Sequence, residues 1–322
     1  MTQATDLRDL LTLALTPYLR LMTSDGELYW PYVAGFIVPA AMVWRASTPA
    51  GSGDAQNLLK FAFPPALYKS PSALLDLRYF AVNVFLYTVF VAPLLLTSTT
   101  VGHVVVTVLV RQFGIPTWPI SSGRWAGVAA SAFLAIAADF GFFLSHYLHH
   151  RIPLLWAFHK VHHSAEVLHP LTAFRSHPVN LAVDFTFVTL FSGVSSGVLA
   201  YVFDANLAPA TLLGVNLFNF TFFAVGSQLR HSHIWLDYGP RVSRFLVSPA
   251  MHQVHHSSAS MHFGQNLGGA LAIWDWLFGT LYIPQKRETL ELGLGRDEVS
   301  SYMTVRDLYF SPLLEVFSIT IS

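Results

Sequence analysis

The stretch FTFVTLFSGVSSGVLAYVF, residues 185–203, is followed after Asp204-Ala205-Asn206 by LAPATLLGVNLFNFTFFAVGSQ, residues 207–228. Neither run contains a charged residue. A helix needs roughly 20 mostly apolar residues to cross a bilayer core about 30 Å thick, so the pair predicts a transmembrane helical hairpin over about 185–228 with its turn at Asp204 to Asn206. Two more spans are expected upstream. Trp125 to Ser145 is interrupted only by Asp139, and Phe80 to Leu96 carries Pro93 near its end. Val101 to Val110 is too short to cross alone, so it either extends the preceding helix at a kink or lies re-entrant. Pro31 to Val43 is also short, and Leu7 to Leu21 reads as an amphipathic surface helix.

The whole composition agrees with this reading. Of 322 residues, 53% are hydrophobic and 11% charged, a balance foreign to soluble globular chains. The expected class is an all-α, polytopic helical membrane protein. Formal net charge is zero, so no field gathers nucleic acid, and no nucleic-acid partner is expected. There is no cysteine, which leaves any metal to His, Asp or Glu. Met1 to Leu11 has no basic segment ahead of its apolar residues, so a cleaved signal peptide is not expected. The predicted hairpin turn carries no Lys or Arg, whereas Arg151, Lys160, Arg175, Arg230, Arg241 and Arg244 lie at the other end. The positive-inside rule then turns that end to the cytoplasm.

Three histidine groups sit at this end. They are His146, His149 and His150; His159, His162 and His163; and His231, His233, His252, His255 and His256. Residues three and four apart share a helix face, so each group forms an imidazole stripe able to grip a metal. The hairpin brings the last group back beside the first two. Burying so many polar rings at span ends without a metal would be costly.

The segments His146-Tyr-Leu-His-His150, Phe158-His-Lys-Val-His-His-Ser164 and Met251-His-Gln-Val-His-His-Ser257 recur with Asn266-Leu-Gly268 and Trp274-Asp-Trp-Leu-Phe-Gly-Thr280 downstream. Together they resemble the fatty acid hydroxylase/sterol desaturase superfamily, over roughly Asp139 to Pro284. The resemblance implies a cytoplasm-facing dinuclear iron centre that oxidises lipid C–H bonds with O₂. It implies metal ligands at His146, His150, His159, His162, His163, His252, His255 and His256, with His231 matching a further family histidine. His233 stands where an asparagine is usual. Tyr147 replaces an arginine of the first family box, and Arg175-Ser-His-Pro-Val-Asn180 stands for R-F-H-P-x-E.

Other polar residues are candidates for completing or orienting the coordination shell. His177 and His262 flank the boxes, and His149 points about 60° away from His146 and about 100° away from His150. Asp139 lies seven residues before His146 and could orient it, with pairing to Arg124 as the structural alternative. Asp275 is a candidate acceptor behind a ligand. His103 and His169 read as ordinary polar side chains.

The chain divides by this reading into an N-terminal helix and spans (1–124), a histidine-box catalytic domain (125–284) and a C-terminal tail (285–322). The expected activity is O₂-dependent hydroxylation or desaturation of a membrane lipid, whether fatty acyl, sterol or polar lipid. Electrons would come from a separate reductase, cytochrome or ferredoxin. Imidazole alone does not select iron over zinc. A zinc hydrolase is one alternative, although Tyr147, Lys160 and Gln253 occupy the positions where H-E-x-x-H needs its glutamate. A metal-ion transporter is another, although transport sites favour the membrane midplane. A bis-histidine haem protein would need single facing histidines within spans.

Overall fold

The computed structural model describes residues 7–23, 28–48, 55–116, 124–203, 208–295, 298 and 300–321. Among the described residues, three runs are long and apolar enough to cross a membrane: Pro71–Phe113, Trp125–Arg151 and Pro178–Phe203. The helices are α1 (Leu7–Arg20), α2 (Trp30–Ser47), α3 (Ala55–Ala62), α4 (Pro71–Leu86), α5 (Ser98–Phe113), α6 (Arg124–Arg151), α7 (Pro153–His163), α8 (Pro178–Phe203), α9 (Leu217–Ala224), α10 (Pro249–His255), α11 (Ile273–Phe278) and α12 (Val305–Ile321). Short turns of 3₁₀ helix join several of them.

The first crossing is one interrupted helix. After Leu86 the backbone widens into a π-turn at Tyr87–Val91, tightens to 3₁₀ at Ala92–Leu94, and is extended at Leu95 before α5 begins. Pro93 causes the break because it has no N–H to continue the ladder. Thr97 Oγ1 then caps the restart by accepting from Thr100 N. Val101 to Val110 therefore continues the crossing past a kink and does not loop back. Further along, α5 runs against α8 at a seam of small residues. A Cβ on Gly193 would fall 2.5 Å from Val101 Cβ, and one on Gly197 would fall 2.7 Å from Val105 Cβ. Such seams let helices in lipid approach until their backbones touch.

The second arm of the predicted hairpin is not a transmembrane helix. Its turn, Asp204 to Asn206, lies outside the described residues. Beyond it, Thr211–Leu212 pairs antiparallel with Val215–Asn216 around Leu213 and Gly214, both with positive φ, as a tight hairpin turn requires. This ribbon sits on the first turns of α6: Ala210 N donates to Gly127 O, and Ser131 Oγ donates to Ala210 O. Asn216 Oδ1 accepts from Phe218 N and starts α9, which ends after eight residues. Gly226, at φ 94°, turns the chain into a 3₁₀ segment, Ser227–His231. Apolarity over 207–228 was read as helix, but Gly214, Asn216 and Gly226 divide it. The return leg still reaches the histidine end, packed between α2 and α6.

Helix α6 sets the depth of the site. From Trp125 to His146 it rises about 32 Å at ~1.5 Å per residue, close to the hydrocarbon thickness, so its histidines emerge at the far boundary. Ile152 is extended and Pro153 opens α7, folding His159 and His163 back over His146 and His150. The sequence marks residues 285–322 only as a tail. Within it, α12 packs along α7, with Lys160 Nζ 2.8 Å from Glu315 Oε1.

Gln112, at the end of α5, and Gln285, beyond α11, are both exposed, whereas Ser164 and Ser257 are buried. In this cysteine-free chain, single cysteines at Gln112 and Gln285 should be modified by an impermeant thiol reagent from opposite faces of a sealed vesicle. Modification of both from one face would exclude the crossing pattern.

Candidate metal centre

Nine buried or half-buried imidazoles converge at the ends of α6, α7, α10 and the Ser227–His231 segment. They form two adjoining clusters. One comprises His146, His150, His159, His163 and His255; the other comprises His162, His231, His252 and His256. Within each, the candidate ligand nitrogens lie within 4.8 Å of one another.

The division runs through the boxes. On a helix, positions i and i+4 diverge by about 40°, whereas i+3 and i+4 diverge by about 100°. Thus His159 and His163 face the first cluster while His162 faces the second, and His252 and His256 face the second while His255 crosses to the first. The second and third boxes thus each serve both clusters, whereas His146 and His150 of the first box face the first cluster alone. His163 and His255 have ring centroids 4.6 Å apart, as do His162 and His256.

The spacing suits a shared ion. His146 Nε2 is 3.1 Å from His159 Nε2, and His163 Nε2 is 3.2 Å from His159 Nε2. In the second cluster His231 Nε2 lies 3.3, 3.0 and 3.2 Å from the Nε2 atoms of His162, His252 and His256. Donors about 2.1 Å from one ion stand roughly 3.0 Å apart at right angles and roughly 3.4 Å apart at tetrahedral angles. His150 Nε2 and His255 Nε2 are buried and have no hydrogen-bond partner, as ligand nitrogens would.

Protonation favours ligation as well. Burial lowers the pKa of His159, His163, His231, His252 and His256 well below the usual imidazole value, reinforced by neighbouring rings. Burial also pushes His162 down to about 4 and His255 to about 3. These rings are neutral at pH 7, each with a lone pair to offer.

Several rings are aimed from behind. A metal-binding histidine commonly donates its other N–H to a fixed acceptor. His146 Nδ1 donates to Leu267 O at 2.8 Å, His255 Nδ1 to Gln265 O at 2.9 Å, and His159 Nδ1 to Asn180 Oδ1 at 2.7 Å. Leu267 is itself held by Asp275, which accepts from Leu267 N, Gly268 N and Thr280 Oγ1. Burial raises the Asp275 pKa to about 6. Asp275 thus acts behind His146 through one peptide unit. Gly268 is required there, because its Cβ would fall 2.7 Å from Asp275 Oδ2.

The remaining candidates lie elsewhere. Asp139 does not reach His146; it accepts from Ala270 N, Leu271 N and Trp274 Nε1 and fastens that loop to α6, while the Arg124 side chain lies outside the described residues. His177 Nδ1 accepts from Val179 N at the start of α8, and its Nε2 donates to Tyr309 O. His262 Nε2 sits 3.2 Å from Glu288. His233 Nε2 donates to Phe61 O, and His149 Nδ1 donates to Ser145 O. None of the five belongs to either cluster.

Two residues at the site were missed in the sequence. Gln253 Nε2 donates to Leu229 O and Ile234 O, tying both sides of His231 to α10; nothing in a lone glutamine announces this. Asn180 stands out in the sequence only as a departure from a motif. Its spacing of four from Asp184 is a readable signal.

Residues 131–280 match the model of the fatty acid hydroxylase family. That segment contains every ring of both clusters. This segment, 150 of the chain's 322 residues, is similar to the fatty acid hydroxylase family. Among curated relatives, it is similar to the ornithine lipid hydroxylase OlsE of Rhizobium tropici, 27% identical over 55% of this chain and 48% of the relative. It is also similar to alkylglycerol monooxygenase of Homo sapiens, 30% identical over 53% of this chain and 33% of the relative, and of Danio rerio, 31% identical over 46% and 29%. The chain thus spans between about a third and a half of these relatives' lengths. No solved structure matches it.

Proposed function

We propose that this chain is an O₂-dependent membrane-lipid hydroxylase whose two histidine clusters each hold an iron ion. The observation that carries the reading is the pair of converging imidazole clusters at one end of three membrane-capable helices. Bound iron would supply O₂ activation and the oxidising power for an unactivated C–H bond. The balance is one lipid C–H, O₂, two electrons and two protons giving C–OH and water. The electrons come from a separate reductase, cytochrome or ferredoxin.

The chain's own residues do the rest. Leu267 O, Gln265 O and Asn180 hold three rings with Nε2 turned inward, so the donors are oriented before any ion arrives. Asp139 and Asp275 fasten the 265–275 segment from which two of these supports hang. The relatives act on an ornithine lipid and on alkylglycerols, so the substrate class favoured here is a polar membrane lipid with aliphatic chains, and hydroxylation is favoured over desaturation. The histidine end faces the cytoplasm by its Arg and Lys content.

The test is direct. Purified chain should carry two irons without haem absorption, and lipid extracts of expressing cells should contain a species heavier by one oxygen than those of cells lacking the gene. Stoichiometric zinc with hydrolytic turnover would replace this reading with a hydrolase.

A further inference from the structure

His146 and His255 donate their Nδ1–H groups to peptide carbonyls, but His159 is supported differently. Its Nδ1 meets the Asn180 amide at 2.7 Å, and the other end of that amide meets Asp184 Oδ2 at 2.6 Å. The second Asp184 oxygen accepts from Ser145 Oγ at 2.5 Å. Asn180 is 2% exposed. Helix α8 supplies both residues, and their spacing of four places them on one face.

An amide can be turned either way, and its neighbours decide which. Two oxygens 2.6 Å apart would repel, so the end facing the carboxylate must be Nδ2. Oδ1 then faces His159. That orientation requires hydrogen on His159 Nδ1 and leaves the Nε2 lone pair pointing at His146 and His163. The carboxylate also polarises the amide, which strengthens Oδ1 as an acceptor and the ring as a donor, as chained hydrogen bonds do.

We propose that Asp184 is a positioning residue that acts through the Asn180 amide to fix the proton position and raise the donor strength of His159. It touches no ring of either cluster; its Oδ1 lies 3.7 Å from Nδ1 of His149, which belongs to neither. The proposal rests on the reading that the five-histidine cluster holds a metal, and it assigns that cluster a carboxylate one amide removed from a ring.

The test measures cobalt(II) and iron(II) affinity of the full-length chain in nanodiscs, by competition with a chelator, without turnover. Asp184→Asn keeps the shape and can still accept from Asn180, but it lacks the charge and lets the amide turn over. One of the two bound equivalents should weaken about 10 to 100-fold, the range for losing such a support, while the other is unchanged. Asn180→Glu places a carboxylate directly against His159 Nδ1, so adding Asp184→Asn to it should then cost less than about twofold, because the support no longer passes through residue 184.

Asp184→Asn with both affinities unchanged overturns the proposal. An equal loss in the wild-type and Asn180→Glu backgrounds also overturns it, since Asp184 would then act on packing, on Ser145 or on His149 and not through Asn180. Should Asn180→Glu fail to assemble, Asp184→Asn decides by itself. A wild-type chain that binds no metal refutes the underlying reading instead, and so separates the two failures.

Discussion

Replacing His163 with alanine should leave the chain with about one metal ion, and replacing His252 should do the same at the other cluster. His163 Nε2 stands 3.2 Å from His159 Nε2, and His252 Nε2 stands 3.0 Å from His231 Nε2, so each truncation removes an inward donor from a different group. Turnover should fall at least about 10³-fold in either variant, because metal-assisted stabilisation amounts to several kcal/mol and each 1.36 kcal/mol is tenfold. The His163→Ala/His252→Ala double variant should lose both ions. His262→Ala is the control: that ring meets Glu288 outside the clusters, so both ions should stay. Metal analysis of the four proteins, each checked for membrane insertion, decides the outcome. Two ions retained in His163→Ala would remove that ring from the ligand set, and complete loss in His262→Ala would add this one.

The second large effect is on assembly. Arg175 and Asp76 are both fully buried, with Arg175 Nη1 2.9 Å from Asp76 Oδ1. The guanidinium also donates to Ser164 Oγ, Ser164 O and Tyr302 O, so it joins the end of α7 to α4 and to the chain entering α12. Arg175→Met should cost about 3 kcal/mol, since it takes the guanidinium from a buried carboxylate that keeps only His169 Nε2, at 3.0 Å, and Thr172 Oγ1. That is a large fraction of the stability of an ordinary domain. Asp76→Leu/Arg175→Met should recover most of the loss, because exchanging the whole pair for apolar residues leaves no orphaned charge. Thermal unfolding in detergent, followed by size-exclusion fluorescence, measures both. A single variant as stable as wild type would show that the pair contributes nothing net.

The histidine arrangement was legible because helical periodicity constrains i and i+4 strongly, and each spacing of four placed its two rings in one cluster. What stayed hidden was the partner of each middle ring. His162 and His255 diverge from their own boxes, and which neighbour receives them depends on how α7 meets α10, information carried by no local spacing. The membrane crossings were readable wherever one residue class dominates, as in Trp125 to Ser145. The return leg over 207–228 was misread for the opposite reason. Hydropathy averages over a window and cannot register that Leu213 and Gly214 adopt positive φ or that Gly226 ends α9. Asp139 was identifiable as an unusual charge within a span, but its partners, Ala270, Leu271 and Trp274, are distant in sequence and mostly backbone.

The exchange of His162 and His255 between the boxes bears on how the molecule is made. Neither cluster can be completed by a contiguous piece of chain: the first waits for His255, and the second needs His162 together with residues that follow the return leg. A nascent chain threading into the bilayer therefore exposes half-finished imidazole sets until His256 has left the ribosome and α10 has docked. Loading is then a late event of biogenesis, coupled to closure of the helical end, and each ion would act as a clasp between early and late segments. Mass action makes that clasp part of the stability of the finished protein, so cells starved of the metal should accumulate inserted but loosely closed chains that proteases cut between α8 and α10.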